Sequence, residues 1–244
     1  MKIIGLYVVL EPKQYLILYK IFRCKRMKEA SLTPLTSVTA SPETKANEAI
    51  FKEHLQIILG VEGWLSLDEA VNLYTLAKKC QDGCIVEVGS YRGKSTLALA
   101  LGTLAGHRAK VYAIDPHEVF SGVNGGTFGP QDRKVFMRNV ARTDAYNIVR
   151  LVNLSSEIIS PGWTEQVSLL WIDGDHSYEG VKRDWECWLP HLSATATVVF
   201  DDALDEHLGP SRLLKEILAL DCRWHVNSII GKTITISINA KEHP

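Results

Sequence analysis

The sequence predicts an α/β fold: a doubly wound, mostly parallel sheet with a C-terminal antiparallel hairpin. Three observations predict it. Short apolar runs rich in Val and Ile alternate with helix-period segments from residue 84 to about 220, which is how parallel strands with crossover helices read. The first run enters a glycine turn that opens directly into a helix pattern. The last two runs, in "RWHVNSIIGKTITISIN", are separated by Gly231-Lys232 and no helix, so they form a hairpin at one side of the sheet.

Each element can be justified in order. "NEAIFKEHLQIIL" carries apolar residues at helical spacing, and "SLDEAVNLYTLAKKC" opens with Ser66 and Glu69, a capping box. The first strand is "CIVEVG" (84–89), followed by a helix from Gly93 to about 105 and a second strand, "KVYAID" (110–115). A Gly-rich loop leads to a helix near 131–144 and a third strand, "NIVRLVN" (147–153). Then come "VSLLWID" (167–173), a helix from Tyr178 to Leu189, "TATVVFDD" (195–202), a helix near 208–220 and the hairpin. No internal repeat is visible.

Ahead of this lies a different kind of chain. Residues 1–46 read as an N-terminal extension and linker, and 47–244 as one domain with a helical N-terminal cap. The two apolar runs near the start are split by Glu11, Pro12 and Lys13, and neither reaches the ~20 residues a bilayer span needs. A basic cluster beside them permits a membrane-surface segment, but an extension or leader is the plainer reading. Residues 30–46 are rich in Ser, Thr, Pro and Ala, as linkers are.

Composition narrows the function. The 244 residues are 46% hydrophobic, enough for one sizeable core, and the net charge of −1 argues against a nucleic-acid-binding face. Five cysteines with no C-x-x-C pair fit a reduced, cytoplasmic protein better than a disulfide framework or a zinc site.

Ligands of doubly wound sheets bind past the carboxyl ends of the strands. Those ends carry Glu87 to Ser95, Asp115, Asn153 to Glu157, Asp173 to His176, and Asp201-Asp202. "VEVGSYRGKST" imitates a phosphate-binding loop, but only three residues separate Gly89 from Gly93, and Val88 stands where the first glycine belongs. A dinucleotide fingerprint fails too, because it needs glycine at Tyr91. The converging acids would repel a triphosphate unless metal ions intervened. A P-loop-like kinase or ATPase stays open on the strand-then-Asp run "LLWID", and so does a non-catalytic cofactor-binding protein.

A ligand with a ribose, an ammonium and a sulfonium but no phosphate fits better. "EVGSYRGKST" resembles the first motif, E/D-x-G-x-x-x-G, of class I S-adenosylmethionine-dependent methyltransferases, and Asp115 follows Glu87 by 28 residues, where that family places its ribose-binding acid. The resemblance runs from about Trp64 to the hairpin. "EGWLSLDEA" and "LLWIDGDHSYEGVKRDWECWLPHL" are similar to its small-molecule and sugar O-methyltransferases of the macrocin type, and more distantly to catechol O-methyltransferase.

The resemblance implies a Rossmann-like class I methyltransferase fold, S-adenosyl-L-methionine as cofactor, and a site residue by residue. Gly89, Ser90, Tyr91 and Gly93 would form the cofactor loop, with Tyr91 along the cofactor or on the substrate side. Glu87 would orient that loop or meet the cofactor's ammonium. Ser95, at a helix start, would meet the methionine carboxylate. Asp115 would bind the ribose hydroxyls. Ser155 and Ser156 would sit by the adenine, although a helix N-terminus explains them as well. Asp173 would face both cofactor and acceptor.

Asp173, Asp201 and Asp202 could together hold Mg2+ or another divalent cation that acidifies a bound hydroxyl, as the catechol and macrocin types do. The competing reading has Asp202 capping the next segment. His176, where the catechol type has a catalytic lysine, could take the hydroxyl proton itself. The expected partners are a small-molecule acceptor and, as an option, a second copy of the chain. Neither nucleic acid nor an integral membrane span is expected. His117, Phe120 and Phe128, on the long loop 117–132, are candidates for touching the acceptor.

Overall fold

A computed structural model describes residues 42–123 and 125–238. The expected extension, most of the linker and Cys24 lie outside the described residues. The chain first forms α1 (Pro42–Leu59) and α2 (Leu67–Lys79). The capping box at α2 is present in both directions. Ser66 Oγ accepts the Glu69 N–H at 3.3 Å, and Glu69 Oε2 accepts the Ser66 N–H at 2.8 Å.

The alternating core follows as β1 (Cys84–Val88), α3 (Lys94–Leu104), β2 (Val111–Ile114), β3 (Phe120–Ser121), β4 (Thr127–Phe128) and α4 (Pro130–Ala141). Next are β5 (Val149–Val152), a single turn α5 (Ser156–Ile159), β6 (Val167–Ile172), α6 (Tyr178–Trp188) and β7 (Leu192–Phe200). The chain closes with α7 (Gly209–Leu220), β8 (Trp224–Ile230) and β9 (Thr233–Ile238).

Seven strands form one sheet in the order β5-β2-β1-β6-β7-β9-β8. The strands from β5 to β7 run parallel, while β9 lies antiparallel to both β7 and β8. Crossover α7 carries the chain past β7 to the outer strand β8, and the hairpin folds β9 back into the gap. The expected fold class is therefore the observed one. The miniature ribbon β3–β4, inside the loop 117–132, was not expected. Two-residue strands are too short to carry a period-2 signal.

Strand parity sorts the core into two layers. Ile85, Leu169 and Trp171 pack with α2, α3 and Phe136 on one face, whereas Val86, Val88, Leu170 and Ile172 pack with α6 and α7 on the other. Glu87 follows the parity of Ile85, so its side chain enters the α3 layer rather than pointing along the strand into the site. The buried thiols Cys80 and Cys84 are pushed up by burial to about 11 and about 12, which makes them poor nucleophiles. Among the described residues, no helix is long and apolar enough to cross a membrane.

Candidate active site

The loop after β1 is organised by a residue from the neighbouring strand. Asp115 Oδ2 accepts the backbone N–H groups of Ser90 and Tyr91, each at 2.9 Å, and the Ser90 hydroxyl at 3.2 Å. Its Oδ1 accepts the His117 N–H at 2.8 Å. Tyr91 (φ 46°) and His117 (φ 50°) are both left-handed, a conformation that costs non-glycine residues energy and is held here by those bonds. The expected ribose acid thus builds the loop with one oxygen and keeps open acceptor capacity only on Oδ1.

Of the two roles expected for Glu87, beneath the loop or against a cofactor ammonium, its position leaves room for the first, and the Ser95 hydroxyl is turned toward it. Glu87 is fully buried, and its two oxygens accept the hydroxyls of Ser95 and Thr96. Burial pushes its carboxyl up to about 8, against those two hydrogen bonds. It shapes the loop from beneath and is no part of the cavity wall, so the expected contact with a cofactor ammonium is not available to it. The Ser95 hydroxyl is likewise engaged, which leaves the first-turn backbone of α3 to face a ligand anion. Gly89 (φ 82°) lines the cavity, but a Cβ there would strike the carbonyl of Asp173, so glycine is required by the β1–β6 approach itself. Gly93 (φ 88°) lies against Phe136 and off the cavity wall.

Neither cation of this loop is aimed at a ligand phosphate. Arg92 Nε donates to Asp132 Oδ1 at 2.7 Å and its Nη1 to Glu62, while Lys94 Nζ donates to the Gly63 carbonyl at 3.0 Å. The letters Gly93-Lys94-Ser95 therefore do not perform phosphate-loop chemistry.

At the ends of β6 and β7 the acids meet two cations. His176 Nε2 lies 3.2 Å from Asp173 Oδ1, and its Nδ1 lies 3.2 Å from Asp202 Oδ2. Burial opposes a charged imidazole, but its hydrogen bonds to Asp173 and Asp202, with the charges of Asp173 and Asp201, outweigh it and push His176 up to about 10. The ring that was expected to accept a proton is thus held protonated and donates on both sides. Its backbone is fixed as well, because the His176 carbonyl accepts the Gly209 N–H at 2.9 Å.

The second cation was not foreseen. Lys232, in the turn between β8 and β9, reaches Asp201 Oδ2 at 2.6 Å and Asp202 Oδ1 at 3.1 Å. Asp202, expected as a metal ligand, directs one oxygen to Lys232 and the other to His176. Burial and the nearby Asp173 charge raise the Asp201 carboxyl, against the pull of Lys232. A lysine beside a turn glycine reads as solvated. Its partners lie on the strand ending in Asp201-Asp202, far away in sequence, so nothing local to the turn signals them.

The ligating atoms that do converge belong to Asp173, His176 and Asp201, all within 4.8 Å of one another. Asp201 Oδ1 is buried with no partner among the described residues. An ion taking that oxygen would lie against the Lys232 ammonium, one carboxylate width away, and would require the imidazole to give up its proton. As arranged, these residues do not fit a divalent cation.

A cavity of about 730 Å3 joins these features, with Gly89, Ser90, Tyr91, Asp115, Ser155, Ser156, Asp173 and Asp201 on its wall. Ser156 is buried and accepts the Trp188 indole N–H at 3.1 Å, whereas Ser155 takes the N-cap position of α5 with no side-chain cap bond. The cavity mouth is aromatic. Trp64, Tyr91 and Phe128 form a contiguous set with centroids 5.3 to 6.1 Å apart, and Phe120 adjoins Phe128 at 6.1 Å. Trp64 is 68% exposed, an open apolar face.

Residues 86–203 match the family model described as a methyltransferase domain. Solved structures align across most of the chain. An O-methyltransferase from Bacillus cereus in complex with SAH is 16% identical with a TM-score of 0.58, covering 81% of this chain and 92% of its own. A putative caffeoyl-CoA O-methyltransferase from Staphylococcus aureus is 15% identical with a TM-score of 0.58, covering 80% and 100%. An SAH-bound methyltransferase of Podospora anserina is 16% identical with a TM-score of 0.56, covering 84% and 100%. The fold is that of the class I methyltransferases. A curated relative, the uncharacterized protein y4gI of Sinorhizobium fredii, is 31% identical over 121 residues, or 48% of this chain. The aligned stretch spans only 13% of that protein's length.

Proposed function

We propose that this chain transfers the methyl group of S-adenosyl-L-methionine to a hydroxyl oxygen of a small molecule: a sugar, a glycan precursor or a natural product. One observation carries the reading. A single cavity holds a loop-organising acid on one side of β1 and an acid–cation cluster on the other, while Arg92 and Lys94 of the loop are bonded to Glu62, Asp132 and the Gly63 carbonyl. That charge pattern suits a cofactor with ribose hydroxyls and a sulfonium, and disfavours a triphosphate.

Open capacity on Asp115 Oδ1 would accept a ribose hydroxyl, an anion-assisted bond. The Ser90–Tyr91 backbone and Ser155 would flank the cofactor's other parts. When bound, S-adenosyl-L-methionine supplies a methyl carbon on a positively charged sulfur. Asp173, partly exposed at the end of β6, would receive the acceptor's proton. As the new oxygen–carbon bond forms and the carbon–sulfur bond breaks, that hydroxyl proton becomes strongly acidic, so a carboxylate suffices as base, and the proton passes on to water. The aromatic mouth would hold the acceptor in line with the methyl group.

A thermal-shift series with S-adenosylhomocysteine, ATP and NAD tests the reading. S-adenosylhomocysteine at a hundred times its Kd should raise Tm by about 5–10 °C. No shift at saturation, or a shift with ATP instead, would sink it.

A further inference from the structure

We propose that Lys232 is the resident cation of this site, standing where a divalent metal would otherwise be held, so that the chain works without a metal ion. The inference rests on the methyl-transfer reading and concerns how that site is charged.

The placement of Lys232 is built rather than incidental. Both polar groups of its backbone are tied: its N–H donates to Glu69 Oε1 at 2.8 Å, and its carbonyl accepts the Ala203 N–H at 3.0 Å. The first bond anchors the turn to α2, and the second anchors it to the residue that follows Asp202. Glycine is required beside it, because Gly231 has φ 57° and a Cβ there would strike the Glu69 carboxylate. On the other side, Asp202 takes a left-handed φ of 48°, which turns its carboxylate toward both Lys232 and His176. The ammonium therefore bridges Asp201 and Asp202 on a frame fixed from two elements.

Three carboxylates meeting at the ends of two adjacent strands need compensating charge. Lys232 provides it from within the fold. A divalent ion on Asp201 Oδ1 would lie beside the ammonium that already holds Oδ2, and like-charge repulsion opposes it. Lys232 lines the same cavity as Asp173. Lys232 is thus a positioning residue for the carboxylates.

Mn2+ binding followed by electron paramagnetic resonance tests this without any turnover. The wild-type chain should leave Mn2+ free at millimolar concentration. Lys232→Met, which removes the charge and keeps the stem, should bind one Mn2+ at least about tenfold more tightly than wild type. Adding Asp201→Asn to that variant should abolish the gain, and Lys232→Arg should keep the ion out. Circular dichroism melts establish that each variant is folded. Tight Mn2+ binding by wild type, lost in Asp201→Asn, would overturn the proposal, and so would a folded Lys232→Met with no gain. Both outcomes are read without cofactor. Failure of S-adenosylhomocysteine binding counts against the methyl-transfer reading alone.

Discussion

Glu69 Oε1 accepts the backbone N–H of Lys232 at 2.8 Å, across 163 positions of sequence. Its other oxygen closes the capping box of α2 on Ser66. One buried carboxylate therefore starts a helix and holds the turn that carries a site cation. Glu69→Ala should lose both. The cap alone is worth about 1 kcal/mol, and the unpaired Lys232 N–H adds a similar amount. Urea denaturation should show a loss of about 2–3 kcal/mol, well above the cost of a typical exposed cap. A loss below about 0.5 kcal/mol would mean that the turn does not depend on Glu69.

The Glu87 carboxyl sets a pH dependence of stability whose sign follows from its burial. Its ordinary value is 4.5, and in the folded chain it is pushed up to about 8. Between those values the folded chain keeps a proton that the unfolded chain has released, so stability falls as pH rises through the window. The upper limit of the loss is about 5 kcal/mol. Glu87→Gln can still bond to the Ser95 and Thr96 hydroxyls and carries no charge. From pH 5 to pH 8 its Tm should decline less steeply than that of the wild type, because the raised carboxyl of Asp201 and the raised imidazole of His176 act in both chains. Parallel melting curves across the range would refute the assignment.

Much of this was legible in sequence, and the exceptions have physical causes. The element order, the capping box at Ser66 and the acids at the strand ends follow from local pattern, because parity and helical period are properties of adjacent residues. The choice between the two roles of Glu87 was not legible, because its motif position points toward a ligand whereas its parity with Ile85 sends the side chain under α3. Lys232 was missed because its partners lie on other elements, and no local pattern records that a hairpin turn closes onto the end of β7. The nearness of His176 to Asp173 follows from their spacing of three residues, but its charge state depends on Asp202 as well, a contact created only by folding.

Asp115 should be the most informative cofactor-side position. It accepts four hydrogen bonds from the chain itself, so Asp115→Ala should lower Tm even without ligand. Bonds to a charged acceptor are worth about 1.5–3 kcal/mol each, although solvent and relaxation reduce the sum. Asp115→Asn keeps the shape and weakens the loop less. Both variants should lose the Tm rise with S-adenosylhomocysteine. An Asn variant that binds it as wild type does would remove Asp115 from the cofactor site.

His176 should titrate far from a free imidazole. Nitrogen-detected nuclear magnetic resonance of the ring should find both nitrogens protonated at pH 8, with loss of the proton only near pH 10. A midpoint near 6.5 would show instead that the contacts to Asp173 and Asp202 are absent in solution. The imidazolium–carboxylate contacts favour the folded state at low pH, since the folded value lies above the unfolded one, and that contribution disappears as pH rises through about 10.

Trp64 offers the clearest separation of acceptor binding from folding. With 68% of its surface exposed, it contributes little to the core, and its contacts are to Tyr91 and Phe128 at the cavity mouth. An acceptor ring stacked there gains about 0.5–1.5 kcal/mol, which corresponds to a two- to tenfold change in affinity. Trp64→Ala should therefore raise the acceptor KM about two- to tenfold once an acceptor is in hand, with Tm and S-adenosylhomocysteine binding little changed. Equal loss of cofactor binding would move Trp64 from the acceptor wall to the cofactor's side, and an unchanged KM would take the aromatic mouth out of acceptor recognition altogether.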